Sequence, residues 1–319
     1  VLITFSDSSS FIYLLYLLYL LYTLYSAPIS SNIESHGLSS MLYADDTQIY
    51  VAFHAQDQQA AIMQVNNCLS DIVSWAHMNM LKINAQKTEF LHFSSRFNPS
   101  SLPASVMVDG LNVHESSIAR NLGVHMDQHL QLRKHVRNIC RSAMSALKKV
   151  AQIRNFLSKK TTEKLIHAFV SSRIDSCNAL LFGIPEKDIA KLQIVQNSAA
   201  RLVERARGRD PITPVLSRLH WLPVEKRIAY KIILLCHKVI THQSPTYLTD
   251  IITPYIPPRN LRSSNKNLLI VPTSSTRTYG DRAFATAAPI LWNKLPDKLR
   301  DDTCTSSFLK SLKTYLFVL

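Results

Sequence analysis

A chain of 319 residues with 46% hydrophobic content is long enough for two domains and apolar enough for packed cores. Its mean hydropathy of +0.01 excludes a polytopic membrane protein. A formal net charge of +14 and a pI near 9.6 point to a polyanionic partner, nucleic acid ahead of an acidic membrane surface.

The first pattern along the chain is FIYLLYLLYLLYTLY, residues 11–25. It falls short of the roughly 20 apolar residues that a membrane span needs, and it lacks the basic start and small-residue cleavage site of a signal peptide. Tyr13, Tyr16, Tyr19, Tyr22 and Tyr25 recur at every third position, so they wind around a helix and leave it no polar face. Such a helix is expected to be buried on all sides. Residues 1–36 therefore read as a low-complexity lead-in, and no membrane partner is expected.

From Gly37 the period shortens. LSSMLY, ADD and TQIYVAF predict a β-hairpin with Ile49, Val51 and Phe53 on one face. Ala61, Val65, Leu69, Ile72, Trp75 and Ala76 predict a helix over 57–80. MLKINAQKTEFLHF (80–93) predicts two short strands about a polar turn, followed by a loop around Pro99 and Pro103. Asp109-Gly110 is a strong hairpin-turn signal, and IARNLGVHMD (118–127) predicts one more strand. Residues 37–127 thus read as an α+β domain.

After Asp127 the period is helical. Val136, Ile139, Ala143, Leu147 and Val150 mark one helix; Leu165, Phe169 and Ile174 mark a second, stopped near Gly183-Ile184-Pro185. Ile189, Leu192, Val195, Ala199 and Leu202 mark a third, and residues 223–240 a fourth with Pro223 in its first turn. Residues 128–242 form an all-α domain on this reading, and 243–319 an irregular Pro/Ser/Thr-rich tail with short apolar clusters and a last helix, SSFLKSLKTYLF. Five dispersed cysteines make no C-x-x-C pair and no Cys/His cluster at finger spacing. That excludes a zinc knuckle and fits reduced thiols in an intracellular protein of the cytoplasm or nucleus, not a secreted one.

The charge is concentrated. Between Arg133 and Lys164 stand ten Lys/Arg against one acid, Glu163. A solvated helix face usually mixes both signs, so Arg133, Lys134, Arg137, Arg141, Lys148, Lys149, Arg154, Lys159 and Lys160 are candidate phosphate contacts. Arg201, Arg205, Arg207 and Arg209 form a second cluster.

One acidic pair stands apart: Asp45-Asp46 in YADDTQIY, at the tip of the first predicted hairpin. Two like charges in a turn read either as ordinary turn chemistry or as a cation site. Lys87 alone reads as a surface lysine. His125, His129 and His135 are close in sequence but have no Glu or Cys beside them to complete a metal site.

In order and spacing, YADDTQIY, LKINAQKTEFLHF and LGVHMD resemble the later motifs of reverse transcriptases from non-LTR (LINE-type) retrotransposons. LLYTL, SRIDSCNALLFGIP, LQIVQNSAARLV, LHWLPVEKRIAYKI and YGDRAFATAAPILWNKLPDKLR resemble other parts of the same elements, so the likeness runs from about residue 14 to the C-terminus. It implies a right-hand polymerase, with a partial palm followed by a helical thumb. It also implies an RNA template, a DNA primer or an RNA–DNA duplex as partner. In that family two Mg²⁺ ions about 4 Å apart clamp the attacking hydroxyl and the leaving oxygens. Asp45 would be a metal-binding catalytic aspartate and Asp46 its neighbour. Lys87 would act on the leaving pyrophosphate, and Leu122, Gly123 and Val124 would form the primer grip.

The family also uses an upstream catalytic aspartate and a Gly/Pro/Gln pocket motif. Before Asp45 this chain has only Asp7 and Glu34, and TFSDSSS does not match the pocket motif. The chain alone is therefore expected to be catalytically incomplete. The alternative is a non-catalytic nucleic-acid-binding protein that uses basic helices within 133–209.

Overall fold

The computed structural model describes residues 8–94, 105–257, 266–274, 276 and 278–318, with residues 8–16 described by backbone alone. The chain divides into two compact units, Val1–Arg120 and Asn121–Leu319. Helices alternate with small antiparallel sheets, an α+β protein. Asp7 and the loop around Pro99 and Pro103 lie outside the described residues.

The first unit opens with α1 (Ser8–Ser35), which closes at Gly37. There the Gly37 N–H donates to Glu34 O and the Leu38 N–H to Ile33 O, in a turn that needs the left-handed φ of 68°. Ile33 and Leu38 are buried against Cys68 and Ile72 of α2 (Gln58–Met78). Between these helices run β1 (Ser39–Tyr43) and β2 (Asp46–Tyr50), antiparallel with Tyr43 opposite Asp46. A second small core joins Ala85 to Val106 and Val108 of β3 (Ser105–Val108), which pairs with β4 (Leu111–His114). The Asp109-Gly110 turn between them is left-handed at both residues, as the dipeptide predicts.

Several expectations fail here for identifiable reasons. The described side chains of the apolar stretch of α1 are not buried: Leu18, Tyr19 and Leu24 are 53%, 59% and 65% exposed. Among its described side chains, Ile29 and Ile33 of the last turns reach the core. Residues 80–93 form no paired strands; Phe90 alone bridges, to Glu115, because the hydrogen-bonding groups of this segment go to a tight turn at Ala85–Lys87. The first hairpin stops at Tyr50, and Phe53 leaves it to stack on His92 at 5.5 Å. The hairpins remain separate two-stranded sheets rather than one larger sheet.

IARNLGVHMD holds two strands, β5 (Ile118–Asn121) and β6 (Val124–Asp127), where one was expected. Leu122 and Gly123 break the run, with φ of 45° and 85°.

The second unit is helical: α3 (Arg133–Ile153), α4 (Lys159–Ile166) and α5 (Ser172–Asp175) come first. Then follow α6 (Glu186–Glu204), α7 (Ile212–Arg218), α8 (Val224–Ile240) and α9 (Thr246–Thr249). The last three are α10 (Phe284–Asn293), α11 (Asp297–Arg300) and α12 (Thr305–Val318). The five apolar positions predicted for α3 are all buried. In the second predicted helix a π-turn at His167–Ser171 adds a residue between α4 and α5. That rotates Phe169 outward, 49% exposed, and buries Ile166 and Val170 together with the expected Ile174.

The described part of residues 243–319 is more than an irregular tail with one last helix: it holds α9 to α12. Trp292 of α10 and Phe308, Leu312 and Leu316 of α12 belong to the same core as α3, α6 and α8. Arg282 donates to Phe182 O, Leu130 O and Leu180 O, tying this segment to the earlier helices. A Cβ on Gly183 would stand 2.6 Å from the Arg282 side chain, and Gly183 has φ of 70°. Burial of Cys236 pushes its thiol up to about 12, so it acts as a small apolar side chain.

Phe308 is fully buried and stacks on His237 with ring centroids 4.0 Å apart. Phe308→Ala should therefore destabilise the second unit by about 3–5 kcal/mol, measured by urea denaturation. An unchanged midpoint would show α12 to be dispensable.

Candidate nucleic-acid interface

The sequence of α3 separates two faces. Val136, Ile139, Ala143, Leu147 and Val150 take one side into the core. Lys134, Arg137, Arg141 and Lys148, spaced three, four and seven apart, fall on the opposite side and are exposed, with Lys149 beside them. Among the described residues none of these five makes an ion pair. From Lys134 to Lys148 the stripe is about 21 Å long at 1.5 Å per residue.

The start of α3 is electrostatically unusual. Its first turn carries Arg133 and Lys134 and no acid, although cations near a helix N-terminus oppose the macrodipole by about 0.3–1 kcal/mol each. The entry to the helix is held instead by Asp127, whose carboxylate accepts the N–H groups of Gln131 (3.0 Å) and Leu132 (2.7 Å). The cations therefore add nothing to the stability of α3 that would explain their presence.

The other candidate cations divide. Arg133 lies 3.8 Å from the buried carboxylate of Asp188, and Lys159 pairs at 2.6 Å with Glu204. Lys160 is exposed and makes no ion pair among the described residues. Arg154 is a correction. It is buried, and its guanidinium donates to Leu202 O (2.9 Å), Val203 O (2.9 Å) and Leu157 O (2.8 Å). The last carbonyls of α6 have no intrahelical partners, and a fixed fork of N–H donors satisfies them. Arg154 is thus a cap, unavailable to phosphate.

Alongside the stripe, α3 and the α4–α5 segment leave a groove of about 740 Å³. Val150, Ile153, Leu165 and Phe169 give it an apolar floor, while Arg141, Lys149 and Arg173 stand on it as cations. Periodicity missed Arg173 and the outward turn of Phe169, because the π-turn that places them has no period of its own. The neighbouring residues in the sequence, SSRIDSCN, carry no pattern that would reveal it.

In the first unit Asp45 occupies the β1–β2 turn and Asp46 the first residue of β2; both are exposed. Ala44 holds the turn with φ of 53°, a conformation that costs a non-glycine residue about 1–2 kcal/mol. Among the described residues no three His, Cys, Asp or Glu side chains are grouped to hold a metal. Mg²⁺ demands near-octahedral oxygen ligation, and two exposed carboxylates in a turn do not supply it. The donor set present does not fit the two-metal centre that the resemblance implies, and no catalytic step follows from it. Lys87 is exposed at the end of its turn, its N–H donating to Asn84 Oδ1 at 3.2 Å.

Of the expected primer grip, Leu122 is exposed, Gly123 is left-handed and Val124 is a core residue. Among the described residues no helix is long and apolar enough to cross a membrane.

Over 167 residues, half of this chain, the sequence is 24% identical to the probable RNA-directed DNA polymerase from transposon BS of Drosophila melanogaster. The match spans 18% of that protein's length. This similarity supports a relationship to reverse transcriptases. No family model matches the chain, and no solved structure matches it.

Two outcomes follow from this geometry. Arg154→Met should destabilise the second unit by about 2–4 kcal/mol, since it removes charged donors from buried carbonyls, whereas Lys148→Ala should leave the thermal midpoint within about a degree. His135 is buried, and desolvation followed by the nearby His125 ring holds its imidazole below the ordinary value. The unfolded histidine takes up its proton near pH 6.5 while the folded one resists. The His135 contribution is therefore full above that pH and is lost as pH falls below it. A urea midpoint that drops between pH 7.5 and 5.5, and drops less in His135→Phe, is the expected result.

Proposed function

We propose that this chain is part of a transposon-type RNA-directed DNA polymerase, of the non-LTR (LINE) kind, and that its second unit holds the template–primer duplex. The observation that carries this reading is the cation stripe of α3: exposed, one-signed, unpaired among the described residues and placed where it gains the helix nothing. A stripe about 21 Å long runs beside roughly six base-pair steps of 3.4 Å, which suits successive phosphates along a backbone. The groove next to it, with Phe169 among cations, suits the sugar and base faces at the edge of that contact.

On this proposal the second unit takes the place of a thumb and the first that of a partial palm. Asp45 and Asp46 are the hairpin carboxylates of the polymerase, and Lys87 and the turn at Leu122-Gly123-Val124 are the leaving-group lysine and primer grip. Among the described residues no further His, Cys, Asp or Glu joins Asp45 and Asp46 in a group of three. The chain by itself therefore binds duplex without extending a primer. The same donor set favours, as a second reading, a nucleic-acid-binding protein with no polymerase role.

Binding to an RNA–DNA duplex should weaken steeply with salt and be indifferent to sequence. Replacing Arg141, Lys148 and Lys149 by glutamine should reduce the slope of log K against log salt by about three. A slope unchanged by the triple substitution would refute the α3 interface. Primer extension with Mg²⁺ or Mn²⁺ that vanishes in Asp45→Asn would refute catalytic incompleteness and the second reading together.

A further inference from the structure

The second basic cluster, at the end of α6, is not used by the α3 interface, and the fold brings to it residues that the sequence keeps apart. Arg154 donates to Leu202 O and Val203 O, and Lys159 pairs with Glu204 at 2.6 Å, so the turn between α3 and α4 is fastened to the last residues of α6. Arg218 of α7 approaches the other oxygen of Glu204 at 3.9 Å. Arg154 directly follows α3, about 9 Å beyond Lys148 at 1.5 Å per residue, so this place lies where the cation stripe runs out.

The acids here are already engaged. Glu204 is shared by Lys159 and Arg218, and the Asp210 carboxylate accepts the backbone N–H of Arg207 at 2.7 Å. Lys160, Arg205, Arg207 and Arg209 are exposed and make no ion pair among the described residues. A helix dipole favours cations within the last turn, which accounts for Arg201 but not for Arg207 and Arg209 beyond it. Arg205 takes a left-handed φ of 53° directly after α6, where glycine is the usual residue.

An aromatic ring belongs to the same place. Phe156 ends the short helical turn Arg154–Phe156, two residues after the arginine that holds α6 and three before Lys159. It is 89% exposed, and no other Phe, Tyr or Trp among the described residues exceeds 64%. Its turn is well tied: Arg154 Nη1 donates to Leu157 O at 2.8 Å, the Leu157 N–H donates to Arg154 O at 3.2 Å, and the Ser158 hydroxyl caps α4. A lone exposed apolar side chain is ordinary. An aromatic face held in water among unpaired cations is what single-stranded nucleic acid uses, a ring for a base to stack on and charges for the phosphates.

We infer that this surface binds the unpaired RNA template strand where it continues from the duplex. One base stacks on Phe156, and the adjoining phosphates lie against Lys160, Arg205, Arg207 and Arg209. Bases inside a duplex are stacked on both faces already, so Phe156 finds a partner only where the strand is unpaired. The choice of the RNA strand rests on the polymerase reading proposed above.

The full chain is titrated by fluorescence anisotropy with three labelled ligands: a blunt RNA–DNA duplex, the same duplex with an unpaired RNA overhang, and one with an unpaired DNA overhang. The RNA overhang is expected to tighten binding about tenfold over the blunt duplex, the worth of one stacked base. Phe156→Ala should remove that gain and leave blunt-duplex binding within about twofold, which also shows that the fold is kept, while Phe156→Trp should retain the gain. Replacing Arg205, Arg207 and Arg209 by glutamine should lower the salt slope for the overhang ligand by about two, at about 0.7 per single-strand phosphate, without lowering it for the blunt duplex.

No gain from the RNA overhang, or a gain that survives Phe156→Ala, overturns the inference. An equal gain from the DNA overhang overturns the assignment to the template strand. The Arg141, Lys148 and Lys149 variant is read on the blunt duplex, so failure of the α3 interface shows there, whereas failure of this site shows as a missing overhang gain in the unsubstituted chain.

Discussion

Burying the broad apolar face of α8 is the constraint from which the second unit follows. Val224, Ile228, Ile232, Ile233, Cys236 and Val239 are buried on that face, while Glu225 and Lys231 stay exposed on the other. An apolar face this broad is covered only by several elements together. α6 lies against it from before, and α10 and α12 from after, so residues far apart in the chain must come together before any of them is stable. The segment beyond residue 243 is therefore part of the core. Trp292 closes one side, with its indole N–H donating to Asn267 O at 2.8 Å.

That packing leaves helix ends and loop carbonyls inside the protein, and arginine satisfies them. Arg154 caps α6, Arg282 collects three carbonyls from two segments, and Arg300 donates to Lys266 O, Asn293 O and Leu295 O. The guanidinium is suited to this because it keeps its charge and offers five donors in a rigid fork. A chain with 36 Lys and Arg thus uses them in two ways. Some hold the fold from within, while Lys134, Arg137, Arg141, Lys148 and Lys149 of α3 stay outside and make no ion pair among the described residues. Net charge alone does not distinguish the two groups, and only the outward group is relevant to a polyanion.

The first unit is built differently. Its cores are small, Ile33, Leu38, Cys68 and Ile72 in one and Ala85, Val106 and Val108 in the other, and its strands pair only as isolated hairpins. The exposed apolar turns of α1 belong to it as well. Burial pushes the Cys68 thiol up to about 11, so even its one buried cysteine is packing material rather than a nucleophile. The acidic hairpin tip is presented to solvent by this modest scaffold.

The sequence by itself determined whatever depends on neighbours along the chain. The Asp109-Gly110 turn, the buried stripe of α3 and the start of α8 after Pro223 follow from local sterics and helical period, which no distant contact alters. The one-signed run after Arg133 was legible for the same reason. Tertiary structure decided whatever depends on a partner far along the chain. Arg154 reads like its basic neighbours until α6 arrives to be capped, and Phe169 looks like core until the π-turn rotates it outward. The apolar repeat of α1 promises burial, but among its described side chains those of the last turns enter a core while Leu18, Tyr19 and Leu24 stay exposed. Hydrophobic period reports which side of an element prefers to leave water, and it is silent on which distant group will meet that side.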